Sequence, residues 1–209
     1  MTTAPTVFVV DDHAGARRSL RWLLDSAGFA VETYGSPEEF LAAFDPDRPG
    51  CLVLDVRLRH GSGLDLQDDL RRRKATLPVI VLTGHGTVPI SLRALQAGAF
   101  EFLEKPAPPD LLVERIGAAV ESDRVARALA AKHAAVLAGV AQLTPREGAV
   151  MEGLLSGKTA QAIAVSLGVS VRTVERSRRM VFSKLRVTST AQLLRSVLQA
   201  RNPHPAAPA

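Results

Sequence analysis

Apolar runs and segments of helical spacing alternate along the first half of the chain, and helical spacing alone fills the second. The runs are Thr6-Val7-Phe8-Val9-Val10, Cys51-Leu52-Val53-Leu54, Pro78-Val79-Ile80-Val81-Leu82 and Phe100-Glu101-Phe102-Leu103, with a weaker one at Ala30-Val31-Glu32-Thr33-Tyr34. They predict five strands. Between them, Leu20, Leu23 and Leu24 precede Gly28, and Leu64, Leu66 and Leu70 precede Arg71-Arg72-Arg73-Lys74, each at the spacing of one helix face. Strands that do not alternate between apolar and polar are covered on both sides. The pattern therefore predicts an α/β domain with a doubly wound five-stranded parallel sheet.

The second half carries punctuation for helices only. Ser122 to Gln142 is rich in alanine, which favours a helical, semi-rigid spacer. Thr144-Pro145-Arg146-Glu147 reads as a helix start, with threonine as N-cap, proline in the first turn and glutamate closing a capping box. Gly157 ends that helix, a short one follows from about Thr159 to Leu167, Ser170 caps a third to about Leu185, and the last begins near Ser189. The expected layout is a first domain over 1–123, a helical linker over 124–142 and a small all-α four-helix domain over 143–209. A disordered Pro/Ala-rich tail is expected from about residue 202.

Composition narrows the classes. With 209 residues and 46% hydrophobic positions the chain has enough apolar surface for two folded domains and is not a disordered polymer. No stretch approaches the roughly 18 apolar residues of a membrane span, and the N-terminus lacks a signal-peptide pattern, so a cytoplasmic protein with no membrane partner is expected. The lone Cys51 excludes an internal disulfide or a cysteine-based zinc cluster and is expected to be buried and inert. Aromatic residues are only 4%, which disfavours serial base stacking on single strands. Formal charge is uneven: −5 over 1–123, +3 over 124–142 and +7 over 143–209. A basic domain behind an acidic one suits a polyanion such as double-stranded DNA, with the acidic part held off the phosphates.

In a parallel α/β sheet the chemistry sits beyond the C-terminal strand ends. There the sequence places Asp11-Asp12, Asp55, Thr83 and, after the last run, Lys105-Pro106. Carboxylates brought together repel unless a cation joins them, and oxygen-only ligands suit Mg²⁺. Asp55 is then a candidate attacking carboxylate, Thr83 a hydroxyl donor and Lys105 a fixed cation beside phosphoryl oxygens. His13, His60 and His85 fall one to a loop without shared spacing, which gives no transition-metal pattern.

These residues, with Phe102-Leu103-Glu104-Lys105-Pro106, resemble the receiver domains of two-component response regulators over about residues 5 to 123, and Thr83-Gly84-His85-Gly86 looks like the FixJ branch. The resemblance implies a flavodoxin-like fold and a phosphoryl group passed to Asp55 from a sensor histidine kinase. It also implies Mg²⁺ held by Asp11, Asp12, Asp55 and the backbone carbonyl of Arg57, and Phe102 as an aromatic switch that could equally serve as core. Arg59 stands where the family often has proline.

In the second half, two short helices joined by Leu167-Gly168-Val169-Ser170 predict a helix-turn-helix. Val174, Val181 and Leu185 share one face of its second helix, and Arg172, Arg176 and Arg179 share another. Residues 143 to 201 resemble the LuxR-type DNA-binding domain, so the whole chain looks like a NarL/FixJ-family regulator. That resemblance implies Glu175, Arg176 and Arg179 facing bases, and Arg172, Arg178 and Lys184 nearer phosphates. It further implies a homodimer formed on phosphorylation. Ser177 replaces a histidine often found there. Two other readings remain: a dimeric DNA-binding regulator indifferent to phosphorylation, and an aspartate-nucleophile phosphatase, which usually wants a second acid where Arg57 stands. Arg71-Arg72-Arg73-Lys74 is expected to be a solvated helix end.

Overall fold

The computed structural model describes residues 4–59, 61–84 and 88–202. His60, His85, Gly86 and the Pro/Ala-rich tail beyond residue 202 lie outside the described residues. Two compact units emerge, one ending at Arg127 and the other beginning at Ala128.

In the first unit the chain runs β1 (Thr6–Val10), α1 (Ala14–Ser26), β2 (Ala30–Tyr34), α2 (Pro37–Ala43), β3 (Gly50–Leu54), β4 (Arg57–Leu58), β5 (Gly61–Ser62), α3 (Gly63–Arg72), β6 (Val79–Thr83), α4 (Val88–Gln96), β7 (Glu101–Glu104) and the start of α5 (Pro109–Ala141). Five strands form one parallel sheet in the order β2-β1-β3-β6-β7. The run read as Phe100 to Leu103 is displaced by one residue: Phe100 donates its amide to Val79 O at 2.8 Å and packs on the sheet before β7 begins.

Successive side chains of a strand point to opposite faces, and both faces are covered. Phe8, Val10, Leu52, Leu54, Val79 and Val81 pack with Phe40, Leu64, Leu66 and Leu70 on one side. Val7, Val9, Cys51, Val53, Ile80 and Leu82 pack with Leu24, Leu112 and Ile116 on the other. Burial of this completeness stabilises by about 1.5–3 kcal/mol for each large apolar side chain. Cys51 is fully enclosed, and desolvation pushes its thiol up to about 12, so it stays protonated.

The second unit takes in the end of α5 and the four helices α6 (Pro145–Leu155), α7 (Ala160–Leu167), α8 (Val171–Leu185) and α9 (Thr190–Arg201). Each of these four starts on a side-chain cap: Thr144, Thr159, Ser170 and Ser189 accept the amides of Glu147, Ala162, Thr173 and Gln192. Such caps satisfy amides that the helix leaves without partners. Gly168 closes α7 at φ 63°, a left-handed conformation that glycine adopts without strain. Val150, Ile163, Val174, Val181, Leu193 and Val197 form the centre of the unit, joined by Val136 from α5. No helix among the described residues is long and apolar enough to cross a membrane.

Candidate functional sites

The sheet register builds the first site. Val10 pairs with Leu54, so the residues that follow, Asp11 and Asp55, leave adjacent strands side by side. Asp55 N donates to Val10 O at 2.9 Å, fixing the second acid against the end of β1. Thr83 ends β6, fully buried, and its carbonyl accepts the amide of Lys105 at 2.8 Å, which brings the lysine back over the same strand ends. The result is a bridge: Lys105 Nζ donates to Asp11 Oδ2 at 2.6 Å and to Asp55 Oδ2 at 2.7 Å.

Electrostatics keep this bridge charged. Burial by itself would lower the Lys105 ammonium, but the hydrogen bonds it donates to Asp11 and Asp55 outweigh it and hold the group above its ordinary value. The remaining carboxylate oxygens are directed by backbone amides. Asp11 Oδ1 accepts from His13 N at 2.8 Å and Asp55 Oδ1 from Arg57 N at 3.1 Å. His13 is the N-cap of α1, its Nδ1 accepting from Ala16 N.

Asp12 takes a different course. Its Oδ2 lies 3.2 Å from Arg59 Nε, so the three expected acids do not converge on one point. Among the described residues no group of three His, Cys, Asp or Glu side chains is arranged to hold a metal ion. Like charges at this spacing need cations, and Lys105 and Arg59 supply them. In the sequence Arg59 only stands where the family often has proline; its pairing with Asp12 is not legible there, because it depends on how the two-residue ladder of β4 with β5 places the loop. Phe102 is half-buried in β7 opposite Val81 and packs against the face that contains Leu54 and Val81.

The second site lies on α8. Val174, Ser177, Val181 and Leu185 face inward, while Arg172, Arg176 and Arg179 are exposed. Arg146, Arg172, Arg176 and Arg179 line an open groove of about 1000 Å³ together with Ser170 and Met180. Arg146 is an addition to the sequence reading; its signal was a cation directly after the Thr144-Pro145 helix start. Glu175 and Arg178 are half-buried and pair at 3.5 Å, and Arg178 also stacks 5.2 Å from the centre of the Phe182 ring. Lys184, expected nearer the phosphates, is engaged within the domain. Its ammonium is bonded inside the domain, to Glu147 Oε2 at 2.6 Å and to Gln142 O at 3.1 Å.

Comparison with known proteins now decides the family. Residues 7–117 match the response regulator receiver domain, and residues 141–197 match the bacterial regulatory proteins of the luxR family. The chain belongs to the FixJ-like response regulators. It is 38% identical to the transcriptional regulatory protein FixJ of Bradyrhizobium diazoefficiens over 96% of this chain and 98% of that one. It is 39% identical to FixJ of Rhizobium meliloti over 92% and 95%. Among solved structures, the response regulator StyR is similar with a TM-score of 0.84 at 37% identity, covering 94% of this chain and all 100% of that one. Full-length FixJ from B. japonicum gives 0.58 at 38% identity, over 96% and 98%. This response regulator thus joins a receiver to a LuxR-type DNA-binding domain and controls transcription in a phosphorylation-dependent way.

Proposed function

We propose that Asp55 accepts a phosphoryl group from a phosphohistidine of a sensor histidine kinase, and that the resulting dimer grips double-stranded promoter DNA through α8. The observation that carries this reading is the Lys105 ammonium seated between Asp11 and Asp55 at 2.6 and 2.7 Å. An Asp55 carboxylate oxygen forms the P–O bond as the P–N bond breaks, and the imidazole leaves with that electron pair and takes up a proton. Lys105 faces the charge that develops on the phosphoryl oxygens, and the Thr83 hydroxyl at the end of β6 donates to one of them.

The chemistry of the donor set, rather than its arrangement here, suits a hard divalent ion, since every side-chain ligand is a carboxylate oxygen. Asp11, Asp12 and Asp55 with the carbonyl of Arg57 would hold Mg²⁺, which supplies charge neutralisation for the transfer. Phosphorylation adds about two negative charges beside Thr83 and Lys105. Both draw inward, Phe102 follows, and the face made by α4, β7 and α5 changes shape. That face has the apolar surface a second copy needs: Val88, Leu92 and Leu95 follow one another at helical spacing on α4 and are each more than half exposed. Dimerisation then presents two α8 helices to half-sites about 10 bp apart. Arg176, Arg179 and Glu175 face bases, with Arg172 and Arg178 nearer the backbone, and the work is done in the cytoplasm where kinase and promoter are both reachable.

The test is Asp55→Asn, read as phosphoryl uptake from a small phosphodonor and as phosphate-dependent dimerisation. Both are expected to vanish, and their survival would overturn the assignment. Multiple turnover of a phosphate ester would favour a phosphatase, and DNA affinity unchanged by phosphorylation would favour the phosphorylation-independent regulator.

A further inference from the structure

We infer that Arg59 is an exchangeable counter-ion of Asp12, a positioning residue that competes with the divalent cation for that carboxylate and is displaced when the cation binds. The inference rests on the reading of Asp11, Asp12 and Asp55 as cation ligands. Its own observation is the Arg59 Nε to Asp12 Oδ2 contact of 3.2 Å, made by a side chain that is 74% exposed to one that is 22% exposed. Three features set this pair where it is. The β4–β5 ladder pairs Arg57 with Ser62 and Leu58 with Gly61, which puts Arg59 at the turn between them. Leu58 is buried and pins the loop to the body of the domain. At the loop's return Gly63 lies so close to Asp55 that a Cβ there would stand 2.0 Å from the Asp55 carbonyl oxygen. The backbone that carries Arg59 is therefore anchored near the acids, while its exposed side chain stays free to exchange partners.

A carboxylate oxygen cannot keep a close guanidinium and a doubly charged ion together without bringing two cations into repulsion. Asp11 and Asp55 already share Lys105, so Asp12 is the acid whose partner is most easily exchanged. The exposure of Arg59 makes the pair weak, on the order of a few-fold in an equilibrium constant, and so open to displacement. Linkage makes the effect reciprocal: whatever factor Arg59 takes from cation affinity, the cation takes from the Arg59–Asp12 pair.

The test is Mg²⁺ binding to the full-length protein by titration calorimetry, with the Arg59 Nε–H resonance followed by NMR in the same titration. Arg59→Gln should tighten Mg²⁺ binding by about two- to fivefold, the worth of an exposed pair. Arg59→Lys, which keeps the charge, should fall between it and the wild type. In the wild type the Arg59 resonance should move as Mg²⁺ saturates. If the wild type binds Mg²⁺ and Asp12→Asn weakens it, yet Arg59→Gln changes nothing and the resonance stays put, this inference fails and the cation site stands. If the wild type binds no Mg²⁺, the reading of the site fails and the counter-ion role with it.

Discussion

Lys184 closes a capping box that begins 40 residues earlier in the chain, at Thr144. Its Nζ lies 2.6 Å from Oε2 of Glu147, the residue whose carboxylate also accepts the Thr144 amide at 2.8 Å, so a cation on α8 locks the start of α6. Removing it by Lys184→Met should cost about 1.5 kcal/mol, as expected for a hydrogen bond to a charged group, in urea unfolding of the full chain. The salt dependence of DNA binding should barely change. A shallower salt slope with unaltered stability would return Lys184 to the phosphates. The Lys184 hydrogen bond chiefly holds the Glu147 carboxyl below its ordinary value of 4.5. A depressed folded value stabilises above pH 4.5 and is lost as pH falls through the lowered value, so the wild type should lose its advantage over Lys184→Met in that acid range.

Lys105 is expected to balance the charge of its two acids. With its pKa raised above 10.5, its contribution to stability is complete below that pH and fades only as pH climbs through the raised value. Lys105→Met leaves Asp11, which is almost fully buried, facing Asp55 without a shared cation. Like charge and desolvation then act together, and the full chain should lose about 2 kcal/mol of stability in urea unfolding at neutral pH. A loss under 0.5 kcal/mol would mean that the ammonium is not what balances them.

Much of this was readable from residues alone, and the parts that were not share a cause. Strand ends and caps are local: Ser170 followed three residues on by Thr173, or Val10 followed by Asp11, needs only neighbours to be recognised. The partners of Arg59 and Lys184 are not local. The sequence shows their charge, but which acid each meets depends on how the β4–β5 loop and the α6–α8 packing place the backbone. The two-residue strands β4 and β5 likewise leave no periodic trace. The outward arginine stripe was legible because helix geometry alone separates Arg172, Arg176 and Arg179 from Val174, Val181 and Leu185.

Gly50 and Asp123 should prove sensitive although neither touches the strand-end acids. Asp123 is buried on α5, and its Oδ2 accepts from Gly50 N at 2.9 Å and from Arg127 Nε at 2.7 Å. Arg127 goes on to donate to Arg48 O at 2.8 Å, tying α5 to the entrance of β3. Gly50 has φ 149°, and a Cβ there would stand 1.8 Å from Thr6 O. Gly50→Ala should therefore destabilise by about 3 kcal/mol or more, by backbone displacement. Asp123→Ala should cost about 2 kcal/mol, since it strips an amide and a guanidinium of a buried acceptor. Urea denaturation checks both, and a loss under 0.5 kcal/mol for Asp123→Ala, the level of an ordinary surface change, would show the tie to be dispensable.

Arg179 supplies the sharpest test of the DNA interface. It lines the same groove as Arg172 and Arg176, one side of a helix whose opposite side is packed, so its guanidinium has no competing apolar role. A guanidinium that meets guanine O6 and N7 discriminates among sequences, whereas one that meets a phosphate does not. Arg179→Ala should weaken binding of the phosphorylated protein to its operator by about 1–3 kcal/mol and leave binding to unrelated DNA much less affected. An equal loss on both, with the salt slope reduced by about one, would make it a backbone contact. Lys184→Met is the internal comparison, because its cation is already bonded to Glu147 and should not change discrimination between the two DNAs at all.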